Sequence, residues 1–70
     1  MDTKLLLIDA LRKRYEAEIA DAYASALVYF NASVGIGEHP QFINELDKLI
    51  TKISSAEENL DTLNKYFTDK

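Results

Sequence analysis

Apolar residues in the second half of the chain recur as Phe42, Leu46, Leu49, Ile53, Ala56, Leu60, Leu63 and Phe67, at steps of 4, 3, 4, 3, 4, 3 and 4. A 3.5-residue spacing held over that distance is a heptad seam, the pattern of a helix that lies along another helix and supercoils with it left-handedly. The first half supplies the mate. At about 100° per residue, Leu5, Ile8, Leu11, Tyr15, Ile19, Ala22, Tyr23, Ala26, Tyr29 and Phe30 fall on one broad face. The other side of the same segment is also apolar or small. It carries Ala10, Ala17, Ala20 and Ala24, with Leu6 and Leu7 toward one end and Leu27 and Val28 toward the other. One hairpin mate cannot cover both sides.

The punctuation of the chain fits this pattern. No Gly or Pro occurs from Thr3 to Ser33, and Asp2 and Thr3 are suited to the start of a helix, so a first helix is predicted over 3–33. Residues 34–39 form the predicted turn. Gly35 takes the left-handed position after the helix and Ile36 folds back on Phe30. Pro40 suits the first turn of a second helix over 40–68, which makes His39 its N-cap and puts Glu38 near the positive end of the dipole. Ser55 and Glu58 stand at capping-box spacing and could restart a helix there. Ile53, Ala56 and Leu60 keep phase across the serines, so a continuous helix is expected. The expected fold is all-α: a single domain over 1–70, an antiparallel hairpin of two long helices that assembles into a four-helix-bundle dimer or a higher even oligomer. Its expected interface is Ala10, Ala17, Ala20, Ala24, Leu27 and Val28.

Composition strengthens the case for assembly. A core drawn from 70 residues supplies only about 3–5 kcal/mol, and small domains add disulfides, a metal or further subunits. With no cysteine and one histidine, self-association is the remaining route, and 47% hydrophobic residues give it surface to use. A net charge of −4 argues against nucleic acid as a partner, because phosphate neutralisation needs an excess of Lys and Arg. Leu5-Leu6-Leu7-Ile8 is far shorter than the roughly 18 apolar residues of a membrane span. The chain reads as soluble and intracellular.

Candidate chemistry is sparse. Arg12-Lys13-Arg14, with Lys4 upstream, holds half of the eight cations and could attract an anion; pairing of Arg12 with Glu16 and of Arg14 with Glu18 on a solvated face is the stronger account of it. Gly35-Ile36-Gly37 before a helix start has the general form of an anion site, yet it lacks the lysine and hydroxyl of a P-loop, and a tight interhelical connection explains the glycines. His39 alone makes neither a metal site nor an acid–base pair. The carboxylates Asp9, Glu16, Glu18, Asp21, Glu45, Asp47, Glu57, Glu58 and Asp61 lie mostly off the seams, as on a solvated face. Tyr15, Tyr23, Tyr29, Phe30, Phe42, Tyr66 and Phe67 stand at helical spacing and are expected in the core. Tyr29 and Phe30 should meet Phe42 near the turn, and Tyr66 and Phe67 should meet Leu5 and Ile8 at the open end. No catalytic set, no metal site and no cofactor is predicted, and the chain is expected not to be an enzyme.

The run Val34-Gly35-Ile36-Gly37-Glu38-His39-Pro40, preceded by Tyr29-Phe30-Asn31 and followed by Ser55-Ala56-Glu57-Glu58-Asn59-Leu60, resembles short uncharacterised proteins of tailed bacteriophages. The resemblance covers about the last two thirds of the chain and transfers no site residue. It implies a phage origin and expression in the cytoplasm of an infected bacterium, where small accessory proteins inactivate host components or signalling nucleotides. The expected function is thus a non-enzymatic, oligomeric phage accessory protein that sequesters a host component, with a nucleotide immune signal as the candidate ligand and Lys4, Arg12, Arg14, Gly35, Gly37 and His39 as candidate contacts between protomers. The alternative is an adaptor, inhibitor or minor virion assembly protein acting through an exposed helix face.

Overall fold

Asp2 starts the first helix. Its backbone is extended (φ −71°, ψ 120°), its carboxylate accepts the Lys4 N–H at 2.9 Å, and its carbonyl accepts the Leu6 N–H at 3.1 Å. The first of these bonds satisfies one of the N–H groups that a helix start leaves without partners, and the second is the first bond of the helix itself. The structure, a computed structural model, describes residues 2–31 and 40–68. Within them the chain forms two helices, α1 (Thr3–Phe30) and α2 (Pro40–Phe67), and no strand.

Helix α1 ends three residues short of the expected Ser33. Asn31 is its C-cap: its backbone N–H donates to the Leu27 carbonyl at 3.0 Å and its side-chain amide donates to the same oxygen at 2.9 Å. A short amide that competes for the helix carbonyls favours a cap over a further turn. The proposed roles of Gly35, Ile36, Glu38 and His39 lie outside the described residues. Helix α2 runs through Ser54 and Ser55 without interruption, as the phase of the seam predicts. At its end the Thr68 hydroxyl donates to the Asn64 carbonyl at 2.7 Å.

The heptad seam of α2 faces α1. Ala56 and Leu63 are buried, Phe42, Leu46, Leu49, Ile53 and Leu60 are half-buried, and Phe67 at the open end is 54% exposed. From α1 the matching strip is Ala22 and Ala26, both buried, with Ile8, Tyr15, Ile19 and Tyr29 half-buried. This strip is narrower than the broad face read from the wheel. Leu5, Leu11, Tyr23 and Phe30 belong to that face but are exposed, because one facing helix covers only the residues that stay on the 3.5-residue line. Near the turn the Tyr29 and Phe42 rings meet edge to face, with centroids 5.3 Å apart and planes at 73°. Phe30 does not join them. Tyr66 is also exposed, with Lys65 Nζ 5.2 Å from its ring centre, so it is not core.

The two-helix layer is long and thin, 53 × 18 × 16 Å with a radius of gyration of 16.1 Å. A compact domain of this length would have about 11 Å. Among the described residues the buried apolar ones are Ala22, Ala26, Ala56 and Leu63. Three of these are alanines, so the closest approach of the helices is made by methyl groups and the larger side chains lie along its edges.

Candidate functional site

The open end of the hairpin holds an apolar concavity. A groove of about 550 Å³ runs between the first half of α1 and the last two turns of α2, walled by Leu7, Ile8, Leu11 and Tyr15 on one side and Leu63 and Phe67 on the other, with Lys4 at its rim. Leu7 and Leu11, four residues apart on α1, are both exposed along it, as is Phe67 on α2. On the far side of Phe67 lies a smaller cleft of about 360 Å³, bounded by Asp2, Lys4, Leu5, Ile8 and Arg12. Phe67 bounds this cleft together with Leu5 and Ile8, the residues expected near it at the open end, whereas Tyr66 does not.

Of the candidate ligand-binding residues, Lys4 and Arg12 come together on this smaller cleft. Arg12 is half-buried and makes no ion pair among the described residues, so the expected pairing with Glu16 does not form. Arg14 is elsewhere. Two residues of helix rotate it about 200° from Arg12, and its Nε stands 3.6 Å from Glu18 on the outer surface, as the spacing predicts. Lys13 Nζ pairs with Asp9 at 2.9 Å. Gly35, Gly37 and His39 lie outside the described residues. Lys4 is separated from Phe30 by 26 residues of helix, about 39 Å, so the cations at the open end and the turn of the same chain are not one site.

The predicted interface residues share one side of α1, directed away from α2. Ala10, Ala17, Ala20 and Ala24 are exposed, as are Leu27 and Val28, the latter at 72%. The last turns of α2 carry a further shallow, polar concavity bounded by Glu58, Asp61 and Lys65. Ion pairs across and along the helices, including Lys52 with Asp21 at 3.6 Å and Lys48 with Glu45 at 3.3 Å, are solvent-exposed and contribute little to stability. Among the described residues no group of three His, Cys, Asp or Glu could hold a metal ion, and no helix is long and apolar enough to cross a membrane.

Sequence reasoning did not anticipate the groove. Leu11, Ile8 and Tyr15 read equally well as ordinary core, and Leu7 falls on the outward side of the wheel. Ile43 and Ile50, each one position beyond a seam residue and both exposed, were likewise unassigned. Comparison of the chain with protein-family models, with curated proteins and with solved structures finds no match.

Proposed function

We propose that this chain is a non-enzymatic binding protein that works as a homo-oligomer, a four-helix-bundle dimer or a higher even assembly built through the outward side of α1, and that the assembly sequesters another molecule. The observation that carries this reading is the apolar surface the single hairpin leaves uncovered. Twelve large apolar side chains among the described residues are exposed. The accessible surface is 5451 Å², against about 4,400 Å² for a compact monomer of 7.9 kDa. The difference is of the order that one partner buries in a stable interface, about 800 Å².

The resemblance of the turn to phage proteins supports a role inside an infected bacterium. Lys4 and Arg12 on one cleft beside Phe67 are consistent with a phosphorylated ligand held by two cations and an aromatic ring, and hence with a nucleotide signal. The apolar groove on the other side of Phe67 favours a second reading, an adaptor that takes an apolar segment of a host or virion protein. The readings separate by experiment. A nucleotide-binding assembly shows a rise in melting temperature with cyclic or ADP-ribose-type nucleotides that Arg12→Ala reduces. Unchanged melting across the nucleotide panel, with a protein co-purifying through the groove and lost on Leu11→Asp, supports the adaptor. The assembly itself is tested by Ala20→Glu, which should convert the sedimenting species to a 7.9 kDa particle; an unchanged profile rejects the α1 interface.

A further inference from the structure

The outward side of α1 is itself a second heptad seam. Starting at Leu6, it passes through Ala10, Lys13, Ala17, Ala20 and Ala24 to Leu27, at steps of 4, 3, 4, 3, 4 and 3. It lies almost diametrically opposite the strip that packs on α2, and every one of its members is exposed. A 3.5-residue line asks for a helix beside it, and no helix of this chain remains to fill the place.

We infer that the occupant is α1 of a second copy, running antiparallel, with the two-fold axis passing between Glu18 and Ile19, so that residues facing each other across the seam have numbers that sum to 37. This deepens the proposed self-association and rests on it. Three features of the chain select the arrangement. In this register Lys13 and Leu27 face small residues: Ala17 faces Ala20 of the second copy, Leu27 faces Ala10, and Lys13 faces Ala24, whose methyl leaves room for the lysine stem to run out to solvent, while Leu6 falls opposite Asn31 at the end of the seam. One flank is complementary as well, and the other carries no like-charge pair. Arg14 comes opposite Asp21 and Leu7 opposite Val28 on one flank, while Glu16 comes opposite Tyr23 and Asp9 opposite Phe30 on the other, each pair occurring twice by symmetry. Arg14 and Asp21 are both well exposed in the single hairpin, each in a solvent-exposed ion pair of 3.6 Å within its own chain, Arg14 with Glu18 and Asp21 with Lys52, which a second partner can share.

The competing arrangements carry like-charge contacts. Sliding one helix by a heptad in one direction sets Arg14 against Arg14 and Glu16 against Glu16; sliding it in the other sets Asp21 against Asp21. A parallel pair stacks Lys13 on Lys13 and brings Glu16 beside Asp21. Because the two seams of α1 lie on opposite sides, the α1 pair is innermost and each α2 is outermost, a layered order of four helices.

Mixing two charge variants tests this arrangement. Arg14→Asp alone and Asp21→Arg alone should each self-associate about tenfold more weakly than the native chain, since both symmetric pairs turn from attractive to repulsive. An equimolar mixture of the two should recover the native affinity as a heterodimer. The carboxylate introduced at position 14 of one chain then meets the guanidinium introduced at position 21 of the other, and the unaltered Asp21 of the first meets the unaltered Arg14 of the second. Contacts within a chain, Arg14 with Glu18 and Asp21 with Lys52, are the same before and after mixing, so only an intermolecular pair gives recovery. In parallel, oxidation of a mixture of Ala17→Cys and Ala20→Cys chains should yield mainly the heterodimeric disulfide, while Ala10→Cys alone should not cross-link; the native chain has no cysteine to interfere. If the native chain is monomeric at micromolar concentration, the proposed self-association fails. If it associates but the charge mixture shows no recovery, or Ala10→Cys cross-links to itself, self-association stands and the antiparallel register is overturned.

Discussion

Ala22 and Ala56, each 1% exposed, hold the helices at their closest approach, and their small size is what the packing requires. Ala56→Leu would push several methylenes into a contact made by methyl groups. Overpacking of this kind costs about 1–3 kcal/mol, so thermal unfolding followed by circular dichroism should show a melting temperature several degrees lower. Asp2 acts by a different mechanism. Its carboxylate accepts the Lys4 N–H and its negative charge sits at the positive end of α1, so Asp2→Ala should cost about 1 kcal/mol, while Asp2→Asn, which keeps an acceptor, should cost less. Equal losses from the two substitutions would assign the effect to charge alone.

Helix α2 carries one apolar line, and α1 carries two on opposite sides. That asymmetry explains why the phase of α2 passes through two serines unbroken, while the broad wheel face of α1 splits into a buried strip and exposed neighbours such as Tyr23 and Phe30. A proline separates a continuous α2 from one restarted at Ser55. Ser54→Pro in the middle of a helix removes the bond to the Ile50 carbonyl and clashes with it, at about 3 kcal/mol or more. Ahead of an N-cap at Ser55 it would be harmless. A marked loss of helicity and of melting temperature is the expected result, read by circular dichroism.

At the scale of the whole molecule, the ratio of surface to core decides behaviour. In a layer only 16–18 Å across in two directions, with a radius of gyration of 16.1 Å, Leu63 is the one large apolar side chain buried among the described residues, beside three alanines. Stability should therefore depend on the concentration of protomers. A tenfold rise in protein concentration should raise the melting temperature by about 5 °C in differential scanning calorimetry, and the Ala20→Glu chain should lose that dependence. A native melting temperature independent of concentration would mean that the hairpin is stable alone. The positions of Lys4 and Arg12 also belong to this scale, since α2 supplies the Phe67 that turns two separate cations on α1 into the rim of one cleft.

The two helices, the continuity of the second and the orientation of its seam were legible in the chain itself, because heptad spacing, absence of Gly and Pro, and capping chemistry are local and act within a few residues of each other. Phe42, Leu46, Leu49 and Ile53 needed no further information to be placed. Which of the residues beside that line are covered was not local. Leu5, Leu11, Tyr23 and Phe30 look like core on a wheel, and only the width of the single facing helix left them outside. The same holds for Arg12 and Arg14, two residues apart in sequence. The helix turned them to opposite sides, and the arrival of α2 at one side brought Arg12 to a cleft and left Arg14 on the outer surface with Glu18. Periodicity sets which way a side chain points; what it meets there depends on the element that the fold carries back beside it.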